Sequence, residues 1–267
     1  MKKIIISVLF IAGLILLVIN ITGLFKTMRN PELYTLENQI KNRIGDVKIP
    51  YPDIRERLVR REGESEKDFM TRVNSLVHDG FAHYWKKEGI DKFYMRVPIW
   101  ENYLLYAASY INPARYERYE FSSYKKGLER GVGVCSGHSI VVKGVLKENG
   151  INAELLDVGG RHVVVRAALG DSAIILDPDF GIVVPFDTAS LTANPELARA
   201  PYSRMAALYY PEAKEPYTTE LMVEIFGKHK HVYDVNNWFE YFSYWAIWFI
   251  PLLLMLPLLL ALLRRSN

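Results

Sequence analysis

Residues 131–185 read GVGVCSGHSIVVKGVLKENGINAELLDVGGRHVVVRAALGDSAIILDPDFGIVVP. This stretch holds the one cysteine of the chain, Cys135, and then His162 and Asp177. A thiol becomes a strong nucleophile when a neighbouring imidazole takes its proton, and a carboxylate can fix the tautomer and balance the charge of that imidazole. The three residue types therefore predict a triad of nucleophile Cys135, general base His162 and orienting carboxylate Asp177.

The residues around the cysteine predict a glycine-rich turn that leads into a helix. Apolar residues recur at helical spacing after Cys135, and Asn149-Gly150 is a typical helix end. Cys135 is thus expected in the first helical turn, where free backbone N–H groups and the helix dipole favour a thiolate. We expect Gly133, just before it, to let the backbone approach a substrate closely.

Three β-type runs follow the predicted helix, at residues 153–158, 162–169 and 173–176. Gly159-Gly160 and Gly170-Asp171 separate the runs, which indicates an antiparallel meander. His162 opens the second run and Asp177 closes the third. Because these two ends lie side by side in such a pair, the spacing predicts a contact between His162 and Asp177.

This pattern resembles the core of the transglutaminase-like (papain-like) cysteine enzymes. The resemblance rests on the order Cys, His, Asp, on the phrase from Leu146 to Ile151 that ends the helix, and on Leu176-Asp177-Pro178. It covers about 55 residues and implies an α+β fold, in which a cysteine-bearing helix packs on a small antiparallel sheet. It also implies catalysis through Cys135, His162 and Asp177 without a cofactor or a metal.

Other residues near the triad offer alternative roles. His138 shares a helix face with Cys135 and is an alternative base, while Asp179 is an alternative orienting carboxylate. His78 and His83 are five residues apart, and on one helix they would lie on different sides of a turn, so we expect no metal pair there.

An aromatic and basic segment, residues 113–130, runs directly into the cysteine turn and is expected to form one wall of a cleft. If Cys135 attacks a carbonyl group, its own backbone N–H provides one oxyanion donor, and a second donor must come from elsewhere. Tyr124 and Trp100 are the candidates for this second donor.

Both ends of the chain are long, uncharged and apolar, over residues 4–25 and 241–263. Each run is long enough to cross a hydrocarbon core of about 30 Å. Lys2 and Lys3 precede the first run and Arg264 and Arg265 follow the second, which predicts that both termini are cytoplasmic in a two-pass protein of the cell membrane. An extracytoplasmic domain would then span residues 28–237, with its core at 97–187.

The charge of the chain argues against nucleic-acid binding. Removing the four terminal basic residues takes the formal charge from +3 to −1, so the predicted domain is close to neutral. A lone cysteine forms no internal disulfide, and it is either a buried small hydrophobe or a reactive group.

The sequence therefore predicts a membrane-anchored thiol enzyme that cleaves or transfers amide bonds of peptide or isopeptide type. Its substrates would be proteins or peptides of the cell envelope or secreted polymers, with partners from an envelope or export complex. The alternative is a catalytically silent module of the same fold that binds and assembles such a complex.

Overall fold

The computed structural model describes residues 2–34, 47–84, 88–209, 217–228, 230–233, 235 and 237–266. It is a mixed α/β structure. Its α-helices are α1 (Lys2–Gly23), α2 (Tyr51–Arg57), α3 (Glu66–Gly80), α4 (Tyr103–Ile111), α5 (Pro113–Tyr116), α6 (Tyr124–Arg130), α7 (Cys135–Glu148), α8 (Thr188–Ala193), α9 (Arg199–Tyr209), α10 (Tyr217–Phe226) and α11 (Trp238–Ser266). Its strands are β1 (Ala82–His83), β2 (Val132–Gly133), β3 (Ala153–Val158), β4 (His162–Leu169), β5 (Ser172–Asp177), β6 (Ile182–Val184) and β7 (Lys230–Val232).

The chain forms two compact units. The terminal-helix unit comprises residues 1–28, 89–119 and 236–267, and the sheet unit comprises residues 29–88 and 120–235. Residues 89–119 were predicted inside the 28–237 domain, but they group with the two terminal helices.

The terminal helices α1 and α11 pack against each other. A Cβ placed on Gly13 of α1 would lie 2.7 Å from the carbonyl oxygen of Pro251 in α11, so the absence of a side chain permits this close approach. Two stretches, Lys3–Gly23 and Trp238–Leu263, are long and apolar enough to cross a membrane. By length and composition they suggest a membrane protein.

Helix α4 begins later than its apolar pattern predicts. The pattern favours a helix from residue 97, but the Oδ1 atom of Asn102 accepts hydrogen bonds from the backbone N–H groups of Leu104 and Leu105 and caps the helix at Tyr103. The amide nitrogen of the same Asn102 donates to Ser243 Oγ of α11 at 2.8 Å. The Asn102 side chain thus caps the N-terminus of α4 and also links α4 to α11.

The sheet unit is built on a five-stranded sheet in the order β6-β5-β4-β3-β7, and all four neighbouring pairs are antiparallel. The predicted meander of three strands forms its centre. Gly159, Gly160 and Gly170 have positive φ angles at the two turns, which is why glycine is needed there.

Helices cover both faces of this sheet. On one face, α3 and α7 pack with alternate residues of β3, β4 and β5, including Leu155, Val165 and Leu176. On the other face, α9 and α10 pack with the intervening strand residues, including Val164 and Ile175. The nearly continuous apolar runs of β4 and β5 follow from this burial on both faces.

The core position of Leu155 gives a stability test. We expect Leu155→Ala to lower the free energy of unfolding of the sheet by about 2–5 kcal/mol, because this fully buried side chain would leave a cavity between α7 and β3. Amide hydrogen exchange of β3–β5 peptides in detergent, read by mass spectrometry, measures the change. The control Val59→Ala, at a site that is 67% exposed, should change it by less than about 0.5 kcal/mol. Equal effects of the two substitutions would contradict this description of the core.

Candidate functional site

Cys135 is the first residue of α7 and is partly exposed. The residue before it, Val134, has an extended backbone and makes no side-chain hydrogen bond to the first turn of the helix. The thiol therefore lies beside backbone N–H groups that carry the positive end of the helix dipole.

Two contacts fix the position of this helix start. The strand β1 runs parallel to β2, where the N–H of Tyr84 donates to the carbonyl of Gly133 at 2.7 Å. One turn into α7, Ser139 Oγ donates to the carbonyl oxygen of Val163 at 2.8 Å. Because Val163 follows His162 directly, this buried bond sets the position of α7 relative to His162.

The predicted contact between His162 and Asp177 is present. His162 Nε2 lies 2.8 Å from Asp177 Oδ2, and the same oxygen accepts a hydrogen bond of 2.6 Å from the hydroxyl of Tyr202 in α9. The other carboxylate oxygen accepts from the backbone N–H of Phe180 at 3.3 Å. Asp177 is fully buried, so these three donors replace the water that a carboxylate would otherwise bind.

The pKa values of this group reflect its contacts. Burial alone lowers the pKa of His162, but the charge and hydrogen bond of Asp177, together with a hydrogen bond and charge from Cys135, raise it well above its ordinary value. Burial and the neighbouring Asp177 raise the pKa of Tyr202, so its hydroxyl keeps the proton that it donates. Cys135 and Asp177 therefore both lie next to the imidazole of His162.

Phe180 closes the side of the site next to His162. Its ring centre lies 5.4 Å from that of His162, and its edge meets Tyr202. Phe180 also lines a cavity of about 680 Å³. The residues that line the cavity are mainly apolar and include Ile182, Pro185, Phe186, Leu197 and Met205. The charged residue Arg204 also lines it. An apolar substrate group held there would lie one aromatic ring away from His162.

A second histidine cluster surrounds Asp179. His83 Nδ1 lies 2.6 Å from Asp179 Oδ1, and His138 Nδ1 lies 3.7 Å from the same oxygen. His78 Nδ1 contacts the backbone carbonyl of Asp179 at 3.2 Å. The helix that carries His78 ends at Gly80, so His83 lies on β1, and the expectation that His78 and His83 share one helix is wrong.

These contacts argue against Asp179 as the orienting carboxylate and against His138 as the base. Asp179 pairs with His83, whereas Asp177 holds His162. The two ring nitrogens of His138 face the carbonyl oxygens of Val134 and Phe81, at 3.1 and 3.2 Å. Neither nitrogen is directed to the thiol, so the geometry favours His162 as the partner of Cys135.

Among the residues that the structure describes, three of these side chains form a candidate group of metal ligands. The ligand atoms of His83, His138 and Asp179 all lie within 4.8 Å of one another. One observation disfavours an ion among them. The separation of 2.6 Å between His83 and Asp179 is that of a charge-assisted hydrogen bond.

Gly133 has a packing role in the structure. A Cβ on Gly133 would lie 2.9 Å from the Phe81 ring and 3.2 Å from Glu120 Oε2, so protein atoms fill the space that was expected to admit a substrate. The same Glu120 carboxylate lies against Gly137 in the first turn of α7, and it faces the buried guanidinium of Arg130 at 3.5 Å. Both glycines make room for this ion pair.

Of the two candidates for the second oxyanion donor, Tyr124 lies away from the start of α7. Tyr124 packs against Gly144, more than two helical turns after Cys135, and its hydroxyl donates to Glu148 at the end of α7. Trp100 belongs to the terminal-helix unit, where its ring meets Tyr94 edge-on.

Sequence reasoning missed Tyr202 and the pairing of His83 with Asp179. Tyr202 lies on α9, far along the chain from the predicted triad. An isolated tyrosine in a helical stretch of sequence can at most suggest that its side chain is buried. Its contact with Asp177 at the end of β5 depends on how α9 packs on the sheet. For His83, the signal in the sequence was Gly80 followed by Phe81. Gly80 ends the helix before His83, so His83 falls on the next element.

The raised pKa of His162 predicts a pH-dependent stability. Above pH 6.5 the unfolded chain releases the His162 proton, whereas the native state still holds it. The stability that this proton provides is fully present at lower pH. It is lost as the pH rises through the pKa of His162 in the native state. We expect the free energy of unfolding to fall by up to about 1.4 kcal/mol per pH unit in this window. Asp177→Asn should remove this part of the slope, as measured by hydrogen exchange of β4 and β5. The surface pair His231 and Asp157 supplies the control Asp157→Asn, which should keep the wild-type slope.

Alkylation of Cys135 tests its contact with His162. We expect iodoacetamide to modify Cys135 about tenfold or more slowly at pH 6 in His162→Ala than in the wild type, because the thiolate that the imidazolium stabilises is the reactive species. Since the chain has one cysteine, mass spectrometry of the intact protein reads the rate directly. His231→Ala is the matched control and should react at the wild-type rate. Identical rates in the wild type and His162→Ala would show that the imidazole does not activate the thiol.

Comparison with protein-family models, with curated proteins and with solved structures finds no match for this chain. The function proposed below therefore rests on the sequence pattern and on the geometry of the sheet unit.

Proposed function

We propose that the sheet unit is a thiol enzyme that forms an acyl thioester on Cys135 and passes the acyl group to water or to an amine. The observation that carries this proposal is the 2.8 Å contact of His162 Nε2 with the buried Asp177, together with the Cys135 thiol next to the same imidazole. This is the arrangement of nucleophile, base and orienting group that acyl transfer requires. It also agrees with the resemblance to the transglutaminase-like cysteine enzymes.

The two nitrogens of His162 have separate tasks in this mechanism. Asp177 holds Nε2, which leaves Nδ1 to exchange a proton with the thiol. As the sulfur of Cys135 bonds to the carbonyl carbon of an amide, Nδ1 holds the thiol proton. It then gives that proton to the leaving nitrogen as the C–N bond breaks. Water or an amine next attacks the thioester, again with His162 as the base, and Cys135 regains its proton as the thiol leaves.

Tyr202 supports the same step from the other face of the sheet. Its hydroxyl donates to the Asp177 oxygen that holds His162, so it limits rotation of the carboxylate and balances its charge. A fixed carboxylate keeps the imidazole in one tautomer and one orientation throughout the reaction.

The membrane helices narrow the class of substrate. We propose a two-pass protein of the cell membrane with both termini in the cytoplasm, as the terminal Lys and Arg residues favour, and with an extracytoplasmic sheet unit. Substrates would then be proteins or peptides of the cell envelope, or secreted polymers that carry amide bonds.

Acylation by p-nitrophenyl acetate tests the proposal, because this activated ester needs no specific substrate pocket. We expect a burst of p-nitrophenol and an acetyl group on Cys135 in the full chain in detergent. Cys135→Ala should give no burst, and His162→Ala should slow acylation by about 10²–10⁴-fold. Adding hydroxylamine or glycylglycine to the acetylated protein then measures transfer to an amine against hydrolysis.

The control variant His231→Ala should acylate within about twofold of the wild type, since its pair with Asp157 is a partly exposed surface contact. If the wild-type Cys135 is alkylated by iodoacetamide but never acetylated, the thiol does not perform acyl transfer. The catalytically silent binding module would then be the better description of the sheet unit.

A further inference from the structure

The terminal-helix unit exposes apolar side chains outside its two long helices. Ile111, at the end of α4, is 84% exposed, and Ile99 and Tyr110 are also exposed. The sequence of α4 contains no charged residue, so this helix has no charged side to turn to water. Because an apolar helix in a soluble protein is normally buried, the exposed side of α4 is expected to meet an apolar or interfacial environment.

The exposed residues of α4 lie on one side of the helix. Tyr110 and Ile111 follow Ala107 by three and four residues, a spacing that places them on the same side, and all three are exposed. We call these three residues the outer face of α4. Leu105 and Ala108 are buried on the opposite side. Helix α4 thus packs on the protein by one side and presents an apolar side outward.

Hydrogen bonds hold this part of the chain against one end of α11. At the start of α4, the hydroxyl of Tyr103 donates to the carbonyl oxygen of Ile247 at 3.2 Å. After α4, the hydroxyl of Tyr119 donates to Glu240 Oε2 at 2.8 Å. Both acceptors lie within residues 240–247, which span about 10 Å along the helix axis. The segment that contains α4 is therefore fixed beside this short part of α11.

The same part of α11 has the features of a membrane interface. Trp245, which lies between the two bonded positions, is 70% exposed, and Tyr241 and Phe242 are exposed as well. Exposed aromatic residues collect at the level of the lipid headgroups, where their rings meet both water and acyl chains. Further along α11, the large exposed side chains are those of Phe249 and of leucines up to Leu263, as contact with acyl chains favours.

Helix α1 indicates the same level for the loop before α4. Asn20 Nδ2 donates to the carbonyl oxygen of Ile247, and Asn20 is about 4.5 Å along the helix axis from Gly23. A Cβ on Gly23 would collide with the carbonyl oxygen of Trp100, so the loop before α4 touches α1 at this glycine. The apolar stretch Lys3–Gly23 ends there. Helix α4 therefore begins where the apolar part of α1 ends.

The polar groups next to the outer face suit the headgroup region of a bilayer. The hydroxyl of Tyr110 accepts a hydrogen bond of 2.9 Å from Arg96 and donates to the hydroxyl of Tyr106 at 3.0 Å. The polar tip of Tyr110 is thus held by the protein, while the body of its ring is exposed. Arg115 and Arg118, in the residues after α4, are exposed. Arginine side chains at this level extend to lipid phosphates and keep their stems on apolar surface.

We propose that α4 is an interfacial helix whose outer face contacts lipid, in the headgroup and upper acyl-chain region of the bilayer that α1 and α11 cross. Residues 113–119, which belong to the segment expected to line a cleft, then lie at the lipid surface, where Arg115 and Arg118 meet phosphate groups. The inference rests on the proposed membrane location of the two long helices. It is independent of the proposed acyl transfer.

A fluorescent label at position 111 tests this contact. In the full chain with Cys135→Ser, Ile111→Cys provides one cysteine, which is labelled with the environment-sensitive fluorophore NBD and reconstituted into phosphatidylcholine vesicles. We expect phosphatidylcholine brominated on its acyl chains to quench this label at least half as strongly as a label at Phe249→Cys in α11, because both native side chains are exposed to lipid. Its emission should lie at a shorter wavelength than that of a label at Val59→Cys, an exposed site of the sheet unit.

The native side chain at position 111 is almost fully exposed, so the label replaces no core contact. Ala107→Cys, on the same outer face, should give the same result. A label at 111 that emits like the one at Val59→Cys and escapes the brominated lipid would face water, and the proposal would be wrong. A label shifted to shorter wavelength that still escapes the brominated lipid would be covered by protein, such as a second copy of the chain, which equally overturns it. If Phe249→Cys itself escapes quenching, the proposed membrane location fails together with the role of α4.

Discussion

The candidate site depends on one buried carboxylate, that of Asp177. A charge without access to water is costly unless donors replace the lost hydration, and here His162, Tyr202 and the N–H of Phe180 do so. The three donors come from β4, from α9 and from the turn after β5. The carboxylate therefore joins the meander to the helices on one face of the sheet, and any loosening of that packing would expose it and free the imidazole.

Two imidazole–carboxylate pairs meet at this end of the sheet unit, and the backbone explains why they are separate. Asp177 and Asp179 flank Pro178 where β5 ends, and the turn that follows carries Gly181 in a left-handed conformation. A Cβ at Gly181 would lie 2.8 Å from the His78 ring, so this tight turn brings the second aspartate against the α3 and β1 side. One short segment thereby supplies a carboxylate to His162 and another to His83.

The start of α7 is where these pairs converge, and its local chemistry suits an anion. Val134 offers no side-chain cap, so the first-turn N–H groups are not satisfied in the usual way for a helix N-terminus. The Glu120 carboxylate packs against Gly133 and Gly137, on either side of Cys135, and pairs with the buried Arg130. The terminal-helix unit is organised by different means, through close contact at Gly13 and through polar links such as Asn102 to Ser243.

The sequence by itself determined the local features of the protein. Helical spacing with a terminal Asn149-Gly150, and alternating runs between glycine turns, predicted α7 and the meander, because such patterns depend on neighbouring residues only. The contact of His162 with Asp177 could also be predicted, since both lie on adjacent strands joined by a short turn. Only the tertiary structure decided which distant groups complete the site. Packing across long chain separations brings Tyr202 to Asp177, His83 to Asp179 and Glu120 to the glycines on either side of Cys135, and no local periodicity records such contacts.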